Sequence, residues 1–222
     1  RALKESYIEI YMGLHGKARL GLDGDERKRS LLESSELKKL KRLANIQLMP
    51  YQQLVDFQST LGNLRSCFSL TRADLDKTPE CPQCRFRPSI EDTSASATAT
   101  LDHLEDALEK MVSNWTQTLL DNLSDPTTKE NLELLQPDMR ELIEAFLEKG
   151  TLPEKLDEDF LQALREALAG LIKVVVKPEE LRHRLTSGGS PATLEEMRKR
   201  FEQYLEELTR GKEASKVRIV IE

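Results

Sequence analysis

Residues 64–89 read LRSCFSLTRADLDKTPECPQCRFRPS, and this stretch decides how the first part of the chain must fold. Cys81-Pro82-Gln83-Cys84 sets two thiols two residues apart, a spacing from which a single tight turn can grip one metal ion. Pro82 pre-sets the backbone for that turn by fixing its own φ. Cys67 lies upstream, and Pro79 and Pro88 flank the motif. These are the only cysteines of the chain, so all three can serve one site. The reading is a structural zinc knuckle held by Cys67, Cys81 and Cys84 with one further ligand. Histidine is the usual fourth partner. His15, near the end of the first expected helix, reaches the site if the first and third helices pack side by side. His103 would have to fold back across a linker. Two other arrangements share this spacing: a metal-free thiol cluster and a redox pair of the thioredoxin kind. The redox pair needs a strand leading in and a helix leading out, whereas Pro79 and Arg85-Phe86-Arg87-Pro88 frame a loop. The knuckle is a statement about architecture, and catalysis does not follow from it.

Upstream of the knuckle, apolar residues recur with helical spacing from Ala2 to about Leu22, at Leu3, Tyr7, Ile10, Tyr11 and Leu14. A charged helix is expected over about 25–44, with Leu31, Leu32, Leu37, Leu40 and Leu43 on one side. Pro50 opens a third, carrying Leu54, Phe57, Leu61 and Leu64, and Cys67 follows at its end. Thr71 reads as the cap of a short helical turn with Asp74 at the capping-box position. Downstream, SIEDTSASATAT at 89–100 is small, polar and aperiodic, and reads as a linker. The longest periodic segment then runs from Leu101 to Leu123. Shorter helices are expected over about 127–135, 137–149 (opened by Pro137, closed by Gly150) and 158–168. Residues 172–176 and 217–221 are β-branched and too short for helices. Helices near 178–186 and 193–210, joined by a turn at 187–191, separate these strands.

The expected fold is therefore mainly α. A basic helical domain with the cysteine knuckle occupies 1–88, a linker 89–100, a helical domain 101–170, and a strand–helix–helix–strand end 171–222. Composition agrees: 38% hydrophobic and 32% charged residues in 222 suit amphipathic helices with solvated outer faces. Two strands alone make a marginal sheet, so they need helix cover or a partner strand. Their edges offer pairing across a homodimer. The net charge of −6 is unevenly spread: residues 1–88 hold 16 Lys and Arg against 11 Asp and Glu, and residues 89–222 hold 17 against 28. No apolar run approaches the ~20 residues of a membrane span, and no signal peptide is read at the start. Arg1 in place of Met suggests a piece of something longer. Sparse, odd-numbered cysteines argue against a disulfide framework and make a reducing cytoplasm the expected setting.

Other chemistry finds little purchase. No Ser/His/Asp order and no HExxH occurs, and the acidic residues sit at helix-surface spacing beside Lys and Arg. Gly13-Leu14-His15-Gly16-Lys17 lacks both the spacing and the hydroxyl of a phosphate-binding loop, and Ser187-Gly188-Gly189-Ser190-Pro191 has no lysine. Arg27-Lys28-Arg29 with Lys38, Lys39, Lys41 and Arg42 can follow a phosphate backbone, but interleaved acids dilute the run and no aromatic platform accompanies it.

The stretch YIEIYMGLHGKARLGLDGDERKRSLL together with LRSCFSLTRADLDKTPECPQCRFRPS resembles the C-terminal portion of very large bacterial P-loop ATPases linked to phage-defence islands, akin to those of bacteriophage-exclusion systems. The run from Leu171 to Glu222 resembles the end of the same proteins. The matching motif is Cys67, Cys81 and Cys84 with His15, Ala18 and Arg19. Where many such knuckles place Gly after the second cysteine, this chain has Arg85. The resemblance implies an ATPase elsewhere in a parent protein, since the nucleotide-binding motifs are absent here. The expected role is a non-catalytic assembly or interaction module with structural zinc, docking other domains or subunits. A nucleic-acid-binding module is the alternative, and an enzyme site shared with further domains the third reading.

Overall fold

The structure, a computed structural model, describes residues 2–189 and 191–222. Among these residues the chain is mainly α. Helices α1 (Ala2–Ala18), α2 (Leu22–Glu33), α3 (Ser35–Leu43), α4 (Tyr51–Asn63), α5 (Arg72–Lys77) and α6 (Ala97–Ser124) are followed by α7 (Pro126–Leu134), α8 (Pro137–Lys149) and α9 (Glu158–Ala167). Strand β1 (Ile172–Val176), helices α10 (Pro178–Thr186) and α11 (Leu194–Thr209) and strand β2 (Val217–Ile221) complete the chain. The turn expected at 187–191 includes Ser190, which lies outside the described residues.

Punctuating residues set most helix boundaries. Thr71 and Asp74 form the reciprocal capping box of α5. Asp125 caps α7, and Gly150 closes α8 in the left-handed conformation at φ 65°. Several boundaries differ from the sequence pattern: α1 stops at Ala18, short of the expected Leu22, and α2 opens at Leu22 itself, ahead of the expected start near 25. The single helix expected over 25–44 is broken at Ser34, whose ψ of 148° is extended. Its hydroxyl donates to Leu31 O at 2.8 Å and accepts from Leu37 N at 3.2 Å, ending α2 and capping α3 at once. The last residues of the stretch read as a linker are helical, because Ser96 Oγ accepts from Ala99 N at 3.0 Å and starts α6 at Ala97.

The chain divides into two compact units: the part up to Lys38 with Val55–Val112, and Lys39–Leu54 with Ser113–Glu222. The boundaries fall inside α3, α4 and α6, so the units are interleaved along the sequence. In the first unit α1 packs on α5, and an apolar cluster of Ile8, Tyr11, Leu75, Cys81 and Phe86 joins them to the knuckle. The inward face of α1 is therefore Ile8, Tyr11 and His15. Leu3 and Ile10, expected on that stripe, are 87% and 64% exposed. The turn carrying Cys81 and Phe86 selects the face that bears the aromatic and imidazole rings.

In the second unit α8 and α9 pack together, with Phe146 and Phe160 edge to face at 5.6 Å between ring centres. The two strands pair with each other in parallel, Ile172 opposite Val217 through Val176 opposite Ile221. A parallel pair needs a long crossover, and α10 and α11 supply it. Val174 and Val176 are buried, and a buried aliphatic side chain contributes roughly 1.5–3 kcal/mol. Lys173, a polar residue in β1, donates to Met49 O at 2.8 Å and to Glu222 Oε1 at 2.9 Å. No described helix is long and apolar enough to cross a membrane.

Candidate metal centre

The knuckle is built by three segments of the first unit. The turn at 81–84 is closed by Arg85 N donating to Cys81 O at 2.9 Å. Cys67 arrives by a short parallel bridge between Leu20 and Ser66: Leu20 N donates to Arg65 O at 2.9 Å and Cys67 N to Leu20 O at 3.1 Å. Since Leu20 lies two residues beyond the end of α1, this bridge fixes the sulfur of Cys67 against that helix. The third segment is α1 itself. Tyr7, Tyr11, His15 and Arg19 recur every fourth residue, so the first three share one helix face and Arg19 continues it just past the helix end.

The ligand atoms of His15, Cys67, Cys81 and Cys84 all lie within 4.8 Å of one another, and this group can hold a metal ion. Sγ of Cys67 is 3.7 Å from Sγ of Cys81, and Sγ of Cys84 is 3.3 Å from Nε2 of His15. Tetrahedral zinc, with its characteristic bond lengths to sulfur and imidazole nitrogen, requires S···S near about 3.8 Å and S···N near about 3.6 Å. The observed separations already approach those values. His15 is thus next to the cysteines, as its helix position allowed. His103, the other histidine weighed from the sequence, lies exposed on α6 and outside the group.

Outer contacts hold this shell. Tyr11, 2% exposed, donates its hydroxyl hydrogen to Phe86 O at 2.6 Å and accepts from Cys81 N at 2.7 Å, clamping the turn at both ends. Tyr7 donates to Pro79 O just before the turn. The Phe86 ring stands edge-on to Tyr11 at 5.6 Å and to His15 at 5.8 Å, and the Arg19 guanidinium lies 4.9 Å from its centre. Arg85 takes the left-handed conformation at φ 50°, the position where glycine would be relaxed.

The electrostatics differ from ligand to ligand. Burial, reinforced by the Arg19 charge, lowers the pKa of His15 and favours the neutral imidazole that a metal needs. Burial beside the other two thiols pushes Cys67 up to about 12. Burial also opposes ionisation of Cys81, but hydrogen bonds from the backbone of Cys84 and Gln83 outweigh it and hold this thiol below its ordinary value.

The basic stretch looks different in three dimensions. Arg27 binds Asp102 and Glu105 at 2.6 Å each, Arg29 pairs with Asp25, and Arg42 pairs with Glu158 at 3.3 Å. Lys38, Lys39 and Lys41 form no ion pair among the described residues, and Lys38 and Lys41 are exposed. Tyr11, Phe86 and Glu91 were not singled out from the sequence as site residues. In the sequence, only the four-residue spacing from Tyr7 to Arg19 carries a signal for Tyr11.

Residues 23–114 match a family described as "Family of unknown function (DUF6079) 6th domain". The match spans less than half of the chain and includes all three cysteines but not His15. No curated protein and no solved structure matches.

Proposed function

We propose that His15, Cys67, Cys81 and Cys84 hold a structural zinc ion, and that the chain is a non-catalytic assembly or interaction module of a larger phage-defence-type ATPase. The observation that carries the metal reading is the convergence of four soft and borderline ligand atoms within 4.8 Å. Three thiolates and one imidazole form a closed tetrahedral set with no position left for a water, which is the pattern of structural rather than catalytic zinc. The role in a larger assembly rests on the resemblance of both ends of the chain to such ATPases. The description of the matched family as a sixth domain fits a chain that is one part of a multidomain protein. Docking of other domains or subunits in the cytoplasm is the activity this reading assigns. Nucleic-acid binding through Lys38, Lys39, Lys41 and Arg42 is the alternative, although Arg42 and the upstream Arg27 and Arg29 are already occupied by carboxylates.

Elemental analysis of protein purified without added metal tests the proposal. About one zinc per chain is expected, lost together with thermal stability in the Cys81→Ser, Cys84→Ser double variant. Metal-free protein with three freely titrating thiols would overturn it.

A further inference from the structure

Of the described lysines and arginines, Arg19 alone is buried, with 4% of its surface exposed. Burial of a guanidinium costs free energy unless a compensating charge faces it. Glu91 supplies one such charge, at 2.7 Å from Nη1 and 2.9 Å from Nη2. Glu91 is the more exposed partner, with Arg65 nearby and the Arg87 amide donating to it at 3.3 Å. The Nε–H of Arg19 makes no hydrogen bond within the protein, although it is fully enclosed. Nη1 also donates to Ala18 O at 3.2 Å, and the guanidinium borders the metal shell. Cys84 and His15 interact with it electrostatically, and the Phe86 ring that meets His15 lies beneath it.

A divalent ion bound by three thiolates and one neutral imidazole carries one net negative charge. Tyr11, Phe86 and Leu75 back the shell, His15 and Cys81 are buried and Cys67 and Cys84 half-buried, so water solvates that charge only in part. We propose that Arg19 is the counter-cation of the metal centre, a positioning residue that stabilises the anionic three-thiolate complex and thereby sets its affinity for divalent metal, while Glu91 orients the guanidinium. The inference rests on the metal reading above. It assigns opposite parts to the two members of one ion pair. Arg19 assists the complex by attraction, whereas Glu91 opposes it by its own negative charge and helps only by holding Arg19 in place. A merely structural ion pair would make the two interchangeable.

The test is competition for zinc against a chromogenic chelator, in wild type, Arg19→Met, Arg19→Lys and Glu91→Gln, with helix content followed by circular dichroism. Wild type that binds no zinc ends the metal reading itself and is seen before any variant is compared. With wild type loaded, Arg19→Met is expected to weaken zinc by about 10–100-fold. Arg19→Lys, which retains the charge, should stay closer to wild type than Arg19→Met. Glu91→Gln, which can still accept from the guanidinium, should bind zinc at least as tightly as wild type. Cobalt(II) gives a second readout, since its thiolate-to-metal charge-transfer bands should retain their intensity in Glu91→Gln. Equal loss of affinity in Arg19→Met and Glu91→Gln, or no loss in Arg19→Met, would overturn the proposal. If Arg19→Met does not fold, Glu91→Gln decides alone: affinity at or above wild type supports it, and a tenfold loss refutes it.

Discussion

Sγ of Cys84 stands 3.3 Å from Nε2 of His15, although 69 residues separate them in the chain. That contact closes the first unit into a loop whose ends are a helix face and a proline-set turn. A metal ion bridging them would act on the unfolded chain as a cross-link does, because it stabilises only the state in which the four ligands have converged. The neighbouring Tyr11 and Arg85 then bear on how well that turn is held.

His15 should contribute as a ligand and not merely as a buried ring. His15→Ala is expected to weaken zinc by more than the 10–100-fold typical of outer contacts, and to shift the cobalt(II) ligand-field bands. His15→Cys should restore tight binding. An Ala variant with wild-type affinity would remove His15 from the ligand set.

Tyr11→Phe removes one hydroxyl that serves two backbone groups, Phe86 O and Cys81 N. Both would be left without this partner, at a cost of about 1–3 kcal/mol. Denaturant unfolding of the zinc-loaded protein measures it. A change below about 0.5 kcal/mol, within the range of ordinary surface substitutions, would show that the clamp is not needed.

Arg85 holds the left-handed conformation at φ 50°. Arg85→Gly should relieve strain of about 1 kcal/mol, offset in part by the greater freedom of glycine in the unfolded chain. Arg85→Val, branched at Cβ, should instead lose stability and loosen the metal. The measurement is the pair of unfolding midpoints. A glycine variant less stable than the valine one would contradict the argument.

Asp125 caps α7, and hydrogen bonds from the Thr127 side chain and amide, with Arg218 nearby, hold its carboxyl below the usual range. A depressed carboxylate contributes stability that is present above its unfolded pKa and is lost as pH falls through its folded pKa. Unfolding midpoints measured from neutral pH downward should therefore fall through the carboxylate range. The decline should be shallower in Asp125→Asn, which still caps the helix but cannot titrate. Parallel profiles would show that this carboxylate does not carry the effect.

Several elements were legible because their cause is local. Thr71 with Asp74, Pro137 at a helix start, and Gly150 at a helix end act through their own backbone geometry, and the structure places each at the boundary it marks. The β-branched runs at 172–176 and 217–221 are strands for the same reason. Ser34 was hidden inside a helical pattern, because a serine that caps and one that merely sits on a helix surface look alike until its hydroxyl has a partner. The face of α1 was misjudged at Leu3 and Ile10, since periodicity identifies a stripe but not what it will meet.

The same division holds for the candidate centre. The CPxC spacing by itself determined that two thiols share a turn, because the number of residues between them limits how far apart they can lie. The sequence likewise determined the mainly helical character and the positions of most helix ends. Only the tertiary structure decided that Cys67 joins the turn through the bridge at Leu20, that His15 rather than His103 faces the sulfurs, and that Arg19 is enclosed beside them. Those outcomes depend on how α1 and the loop from 64 to 91 approach one another. Contacts between residues far apart in the chain follow from packing, which no local spacing contains.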